Sequence, residues 1–212
     1  MLLLAACSSE PTGTAPDQLL GQVASNILPR NGPAPGARDI SELTRSAIAG
    51  VTEPLTLITV PDVNVATTVV LAARKGNVET WRAADGGSLL LDGPVLFATR
   101  GIGQDLLAAE TSGLRQMLQA GRSGTLTRDL RHLDGLDQIR ITHFQCTLAR
   151  DGAERIVILD RPHDVTRFRE TCRAGELEIN NTYWLDSGGF AWKSRQWVGQ
   201  ALGYMVIERL VR

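Results

Sequence analysis

The sequence predicts a mainly β protein, an antiparallel β-sandwich or open barrel with two or three short helices. Three observations lead there. From about residue 55 onward, β-branched and aromatic residues gather in short runs of the kind that form strands. The runs are parted by turn formers: Pro61-Asp62, Lys75-Gly76-Asn77, Asp85-Gly86-Gly87 and Asp92-Gly93-Pro94. Helical spacing is confined to a few brief stretches, and no internal repeat of fixed period is present.

Taken in order, Asp17 to Leu28 places apolar residues at 19, 20, 23, 27 and 28, the spacing of an amphipathic helix that packs on the domain. Residues 31–36, Asn-Gly-Pro-Ala-Pro-Gly, break the chain, and Ser41 to Ala49 then reads as a second helix with Ser41 as its cap. Strands are expected at 55–60, 66–73, 77–83, 88–91 and 95–99, an antiparallel meander. A helical interlude covers 104–110 and 113–120, where Leu106, Leu107, Leu114, Met117 and Leu118 supply the apolar stripe. Strands resume at 125–133, 138–150, 154–160, 165–173, 178–185, 190–198 and 204–211. With Ser187-Gly188 as a two-residue hairpin loop, Tyr183 would face Trp192 and Thr182 would face Lys193.

The chain of 212 residues suits one domain with a single core. Its 22 Lys and Arg against 23 Asp and Glu leave no positive field to hold nucleic acid. No apolar run approaches the roughly 20 residues of a membrane-spanning helix. The first residues are a separate matter. Leu4-Ala5-Ala6-Cys7 fits a lipobox, in which small residues admit signal peptidase II before a Cys that carries diacylglycerol, and a polar tether follows. Six residues precede Cys7 and none is Lys or Arg, fewer than a secretory signal needs, so the start reads as truncated or misassigned. The organisation expected is a residual signal peptide at 1–6, a lipidated tether at 7–16 and a single β-rich domain with N-terminal helices at 17–212. With Cys7 acylated, Cys146 and Cys172 form an even set for a structural disulfide in an oxidising compartment, the alternative being two buried thiols.

Catalytic signatures are weak. Asp186-Ser187-Gly188-Gly189 is similar to a serine-protease nucleophile segment, but His132, His143 and His163 lie in no histidine motif, and a hairpin turn explains the tetrapeptide. Arg100-Gly101-Ile102-Gly103, leading to Asp105, resembles an anion-binding turn, yet it lacks the third glycine of a dinucleotide fingerprint. No metal-ligand spacing and no cofactor motif is found. Asp92, Asp105, Glu170 and Asp186 are the carboxylates that a glycan-modifying enzyme would draw on as acid and base. The C-terminal third gathers six of the ten aromatic residues, among polar side chains that suit a sugar or a protein partner. Arg195 and Gln196, with Trp192 or Trp197 beside them, are the exposed binding candidates there, and the turn of Arg100 and Asp105 is the next.

Five segments in fixed order carry a family resemblance: 85–106 (DGGSLLLDGPVLFATRGIGQDL), 166–172 (TRFRETC), 180–186 (NNTYWLD), 191–199 (AWKSRQWVG) and the closing GYMVIERL. They resemble the YjbF/GfcB family of bacterial envelope lipoproteins from about Ser41 onward. The resemblance implies an outer-membrane lipoprotein facing the periplasm, encoded among genes for exopolysaccharide or group 4 capsule production. No catalytic activity is implied. Ser8 stands where an Asp would mark retention in the inner membrane of enteric bacteria, which favours the outer membrane. The expected role is a non-catalytic accessory or structural component of polysaccharide assembly or secretion. Its expected partners are other envelope proteins of the gene cluster, the polysaccharide itself, and the membrane through the Cys7 lipid. An extracytoplasmic glycan-modifying enzyme is the alternative, and a close pair of carboxylates in a long groove would favour it.

Overall fold

The computed structural model describes residues 43–212. Cys7, its tether, the expected helix at 17–28 and the breaker at 31–36 lie outside the described residues.

Twelve strands form one sheet: β1 (Leu55–Val60), β2 (Val65–Lys75), β3 (Val78–Ala83), β4 (Ser88–Asp92), β5 (Val95–Arg100), β6 (Leu106–Ala109), β7 (Gly124–Leu133), β8 (Ile139–Ile158), β9 (Arg161–Ala174), β10 (Leu177–Leu185), β11 (Ala191–Gly199) and β12 (Gly203–Val211). The order is β5-β4-β3-β2-β1-β12-β11-β10-β9-β8-β7-β6, with every neighbouring pair antiparallel. The two edge strands, β5 and β6, come side by side, so the sheet curls into a nearly closed barrel. Of the two expected architectures, the barrel is correct and the two-sheet sandwich is not.

Alternation along the strands explains the closure. In β9, Phe168, Glu170 and Cys172 point inward and are buried, while Arg169 and Arg173 face out. The same period on the other strands gives an inner core that includes Ile58, Val60, Trp81, Leu91, Phe144, Ile179 and Ile207. Cys146 and Cys172 lie directly opposite one another on β8 and β9, inside this core, and form a disulfide.

The two ends of the barrel differ. At one end α1 (Ser112–Gln119) bridges β6 to β7 and drives Leu114 and Leu118 between Val95, Leu148, Phe168, Tyr183 and Leu185, corking the lumen. Asp92 holds this helix by accepting from Thr111 Oγ1 at 2.7 Å and pairing with Arg115 at 2.8 Å. The opposite end, which among the described residues carries no α-helix and only a single 3-10 turn at Pro61–Val63, opens on an apolar cavity. Gly203 begins β12 at this open end with φ +63°, and a Cβ there would run into the Asp62 carboxylate.

Four local expectations need correction. Residues 104–110 are not helical: the run Leu106-Leu107-Ala108-Ala109 is too short to propagate a helix, and the free edge of β7 captures it as a strand, with Leu106 opposite His132. The described part of the 41–49 segment consists of turns, closed by Ala49 N to Ser46 O at 3.2 Å and Val51 N to Ile48 O at 3.0 Å. The strands expected at 138–150 and 154–160 are one, β8, whose register shifts between Arg150 and Ala153 where Gly152 takes φ 92°. The β10–β11 loop is longer than two residues, so Tyr183 faces Ser194 and Trp184 faces Lys193, with a bulge before Leu185 and Ala191.

Beyond the Gly152 bend, the β8–β9 hairpin folds back over the outside of the barrel. Its tip is pinned by Arg45, which donates to Leu159 O (3.1 Å), Ile158 O (3.0 Å) and Leu210 O of β12 (2.9 Å). Ile158 joins Leu43, Ile48, Leu55, Leu57, Val70 and Leu210 in a small outer core.

Candidate functional site

Three regions hold the residues singled out by sequence, and each has a distinct physical character. The first is a polar network sealed inside the barrel. Glu170 is 0% exposed and Arg128 4%, and Arg128 Nη1 donates to both Glu170 oxygens at 3.1 and 3.0 Å. Asn181 Nδ2 (2.7 Å) and Tyr183 Oη (3.1 Å) also donate to Glu170, while Arg128 Nε reaches Glu110 O at 3.0 Å. Burial would depress Arg128, but Glu170 and Tyr183 outweigh it and raise its pKa; burial, then Glu170, lifts the Tyr183 phenol well above its ordinary range. Gln196 extends the network across the lumen: its Oε1 accepts from Leu96 N of β5 at 2.8 Å, and its Nε2 donates to Pro94 O at 3.0 Å. Gln196, expected on the surface, is therefore a buried strut, because its parity on β11 matches that of Ser194 and Val198.

The second region is the turn of Arg100 and Asp105. It closes the barrel. No ladder joins β5 to β6, and side chains take over the seam. Asp105 accepts from Thr99 Oγ1 (3.0 Å), Gly101 N (2.8 Å) and Ile102 N (3.3 Å). Thr99 Oγ1 in turn accepts from Leu106 N at 2.9 Å, and Arg100 donates to Leu106 O (3.3 Å) and Leu107 O (3.1 Å). A carboxylate inside this turn satisfies the amides that a phosphate would otherwise seek.

The third region is the outer face of β10–β12. The Arg195 guanidinium lies 3.4 Å from the Tyr204 ring centroid and donates to Asn180 O at 3.2 Å. Lys193 stands 5.7 Å over Trp184, and both rings are half-buried on the same face. Trp192 and Trp197 differ from expectation. Trp192 stacks on His163 of the folded-back hairpin (3.8 Å) and donates to Asp186 Oδ2 (3.1 Å), while Trp197 turns edge-on to Phe144 (6.2 Å) and His132 (5.6 Å) of the interior. The surface thus keeps Arg195 of the expected set, joined by Tyr204, Trp184 and Lys193.

The four candidate carboxylates do not converge. Asp92 serves α1, Asp105 the seam and Glu170 the sealed network, while Asp186 accepts from Gly188 N and Phe190 N, both at 2.9 Å, in the β10–β11 turn. No histidine bonds Ser187: His132 bonds Val198 O at 2.6 Å, His143 pairs with Asp129 at 2.7 Å, and His163 lies on Trp192. The tetrapeptide is a turn closed by its own aspartate.

Sequence reasoning missed Arg128, Glu170 and Asn181 as one unit. The available signal was parity: each sits between inward apolar residues, as Arg128 does between Leu126 and Leu130, where a surface charge has no place.

Fold and sites together define a class: a nearly closed antiparallel barrel, corked by one helix, whose acidic groups brace the structure and whose outer face carries cation–ring pairs. The chain belongs to the family described as group 4 capsule polysaccharide lipoprotein gfcB, YjbF, whose model matches residues 26–210. A solved structure, that of the hypothetical lipoprotein YmcC from Escherichia coli (K12), is similar with a TM-score of 0.71 at 20% identity, covering 81% of this chain and 90% of that one. At that identity the likeness is one of fold. No curated protein matches the sequence.

Proposed function

We propose that the protein is an outer-membrane lipoprotein, anchored through Cys7 and facing the periplasm, that serves as a non-catalytic accessory of capsule or exopolysaccharide assembly or secretion. The family match over residues 26–210 carries this reading. The candidate carboxylates support its non-catalytic part, since each is engaged in holding a turn, a seam, a helix or a buried arginine. An acid–base pair for glycan hydrolysis needs two carboxyl groups facing one bond. Partners, whether envelope proteins of the same gene cluster or the polysaccharide, would meet the Arg195–Tyr204 and Lys193–Trp184 face, where rigid rings give contact area and the cations give orientation.

The test is anchoring joined to export. Expressed behind a functional secretory leader, the wild-type chain should incorporate labelled palmitate, fractionate with the outer membrane and restore surface polymer to a deletion strain. Cys7→Ser, made at equal level, should be released to the periplasm and fail to restore it. A wild-type chain with no label and the fractionation of the variant would overturn the reading.

A further inference from the structure

We infer that the open end of the barrel is a lipid-contacting end, whose cavity takes the terminal part of one acyl chain of a membrane phospholipid while the aliphatic side chains around it rest in the bilayer interface. This goes beyond the accessory role and rests on the lipid-anchored part of the proposed function.

The cavity has a volume of about 260 Å³. Its walls are aliphatic, including Ile58, Val60, Val69, Leu89, Ile102 and Met205, with no aromatic residue and no Lys or Arg among the lining residues. The one charged lining residue, Asp85, already accepts from Gly87 N at 3.0 Å. A sugar would want a ring to stack on, and an anion would want a cation or free amides. A flexible hydrocarbon chain needs neither, and the volume lies just below the roughly 300–1,000 Å³ of sites for larger ligands.

The rim makes the same case independently. Of the seven exposed large hydrophobic side chains among the described residues, six belong to this end: Val63, Val65, Leu133, Leu136, Ile139 and Ile141. Strand polarity puts them there, because the turns β1–β2 and β7–β8 open on the same end as the cavity. Leu133 faces Ile139 across the β7–β8 hairpin and Leu136 is 78% exposed at its tip. Asp134 stabilises that tip by accepting from Leu136 N (2.9 Å) and Gln138 N (3.0 Å), so it presents the side chains on a fixed turn. A concentrated apolar patch on a protein surface marks an interaction site.

The occupant follows from the chain's attachment. The family is one of lipoproteins, and the polar tether expected at residues 7–16 reaches up to about 35 Å when extended. A tether of that length keeps the domain beside the bilayer, and burial of apolar area selects the aliphatic end over the helix-corked one. Charge at this end is mixed, with Asp62, Asp85, Asp134 and Asp137 set against Arg131 and Arg140. Association is therefore apolar in origin, insensitive to salt and to the fraction of anionic lipid.

The test uses the full chain carrying Cys7→Ser, so that no attached lipid contributes, with phosphatidylcholine vesicles whose acyl chains are plain or brominated. The emission that Leu136→Trp adds to that of the four native tryptophans should shift to the blue and be quenched in brominated vesicles, as for a ring within the acyl region. Val157→Trp, at the exposed apolar residue outside this end, should not respond. Leu136→Ser with Ile139→Ser should weaken vesicle binding at least about tenfold, as should Val65→Asp at the cavity mouth, with unchanged circular dichroism in both. Equal quenching at positions 136 and 157, no quenching at either, or binding abolished by moderate salt would overturn the inference. None of these readouts depends on Cys7 acylation or polymer export, so their failure is separable from failure of the proposed function.

Discussion

Replacing Glu170 with leucine removes the acceptor for three buried donors at once: Arg128 at 3.0 and 3.1 Å, Asn181 at 2.7 Å and Tyr183 at 3.1 Å. The guanidinium is left 4% exposed with its charge uncompensated. Breaking a buried pair by removing one partner costs about 3–5 kcal/mol, a large share of the roughly 5–15 kcal/mol that a domain has in total. With a urea slope of about 2 kcal/mol per molar, the midpoint should fall by about 2 M. Arg128→Met combined with Glu170→Leu should recover most of the loss, because the double variant leaves no orphaned charge. Equilibrium urea unfolding followed by tryptophan fluorescence, in non-reducing buffer, measures Glu170→Leu, Arg128→Met and the double variant. A Glu170→Leu loss below about 1 kcal/mol, or a double variant that loses the sum of the singles, would refute the view that this pair braces the interior.

Other outcomes follow from the same reasoning. Cys146→Ser should lower stability by about 2–4 kcal/mol, since the disulfide closes a segment with a sequence separation of 26, and the protein purified without reductant should show no free Cys146 or Cys172 thiol after denaturation. Burial pushes Glu79 up, but Arg209 and Arg74 outweigh it and hold the carboxyl below its ordinary 4.5; its contribution is full above that pH and is lost as pH falls through the depressed value, so Glu79→Gln should flatten the acid limb of a stability-against-pH curve. Arg195→Ala should cost at most about 1.5 kcal/mol, from one cation–ring contact and one hydrogen bond, yet reduce polymer export at unchanged protein level. Normal export with normal abundance would remove that face from the account.

Much of the barrel was legible because one face of each strand is buried and its period of two shows in the sequence. Ten of the twelve strands coincide with expected ones to within a few residues, and β8 merges two expected strands, because a bulge at Gly152 reads in sequence as a turn. At β6 the sequence predicts helix, since Leu106 to Ala109 carries no β-branched residue and owes its conformation to the waiting edge of β7. Closure itself was hidden: it depends on Thr99, Arg100 and Asp105, three polar side chains at a turn that looks like an anion site until its partners are seen. Surface assignments failed for a related reason. Gln196 and Trp197 sit among polar residues in sequence, but Gln196 spans the lumen and Trp197 packs on Phe144 and His132, contacts made with residues 53 to 102 positions away. The resemblance to the lipoprotein family was visible earlier than any of these, because it rests on the order of segments and not on their packing.

The central claim is that this barrel supports polysaccharide traffic without altering the polymer. It is tested most directly by comparing the polymer of a deletion strain with that of its parent, measuring both the amount at the cell surface and the linkage composition of the repeat unit. The account predicts a marked loss of surface polymer, with the remaining material identical in repeat structure. Undiminished polymer with altered linkages or substituents would contradict it and point to an enzyme.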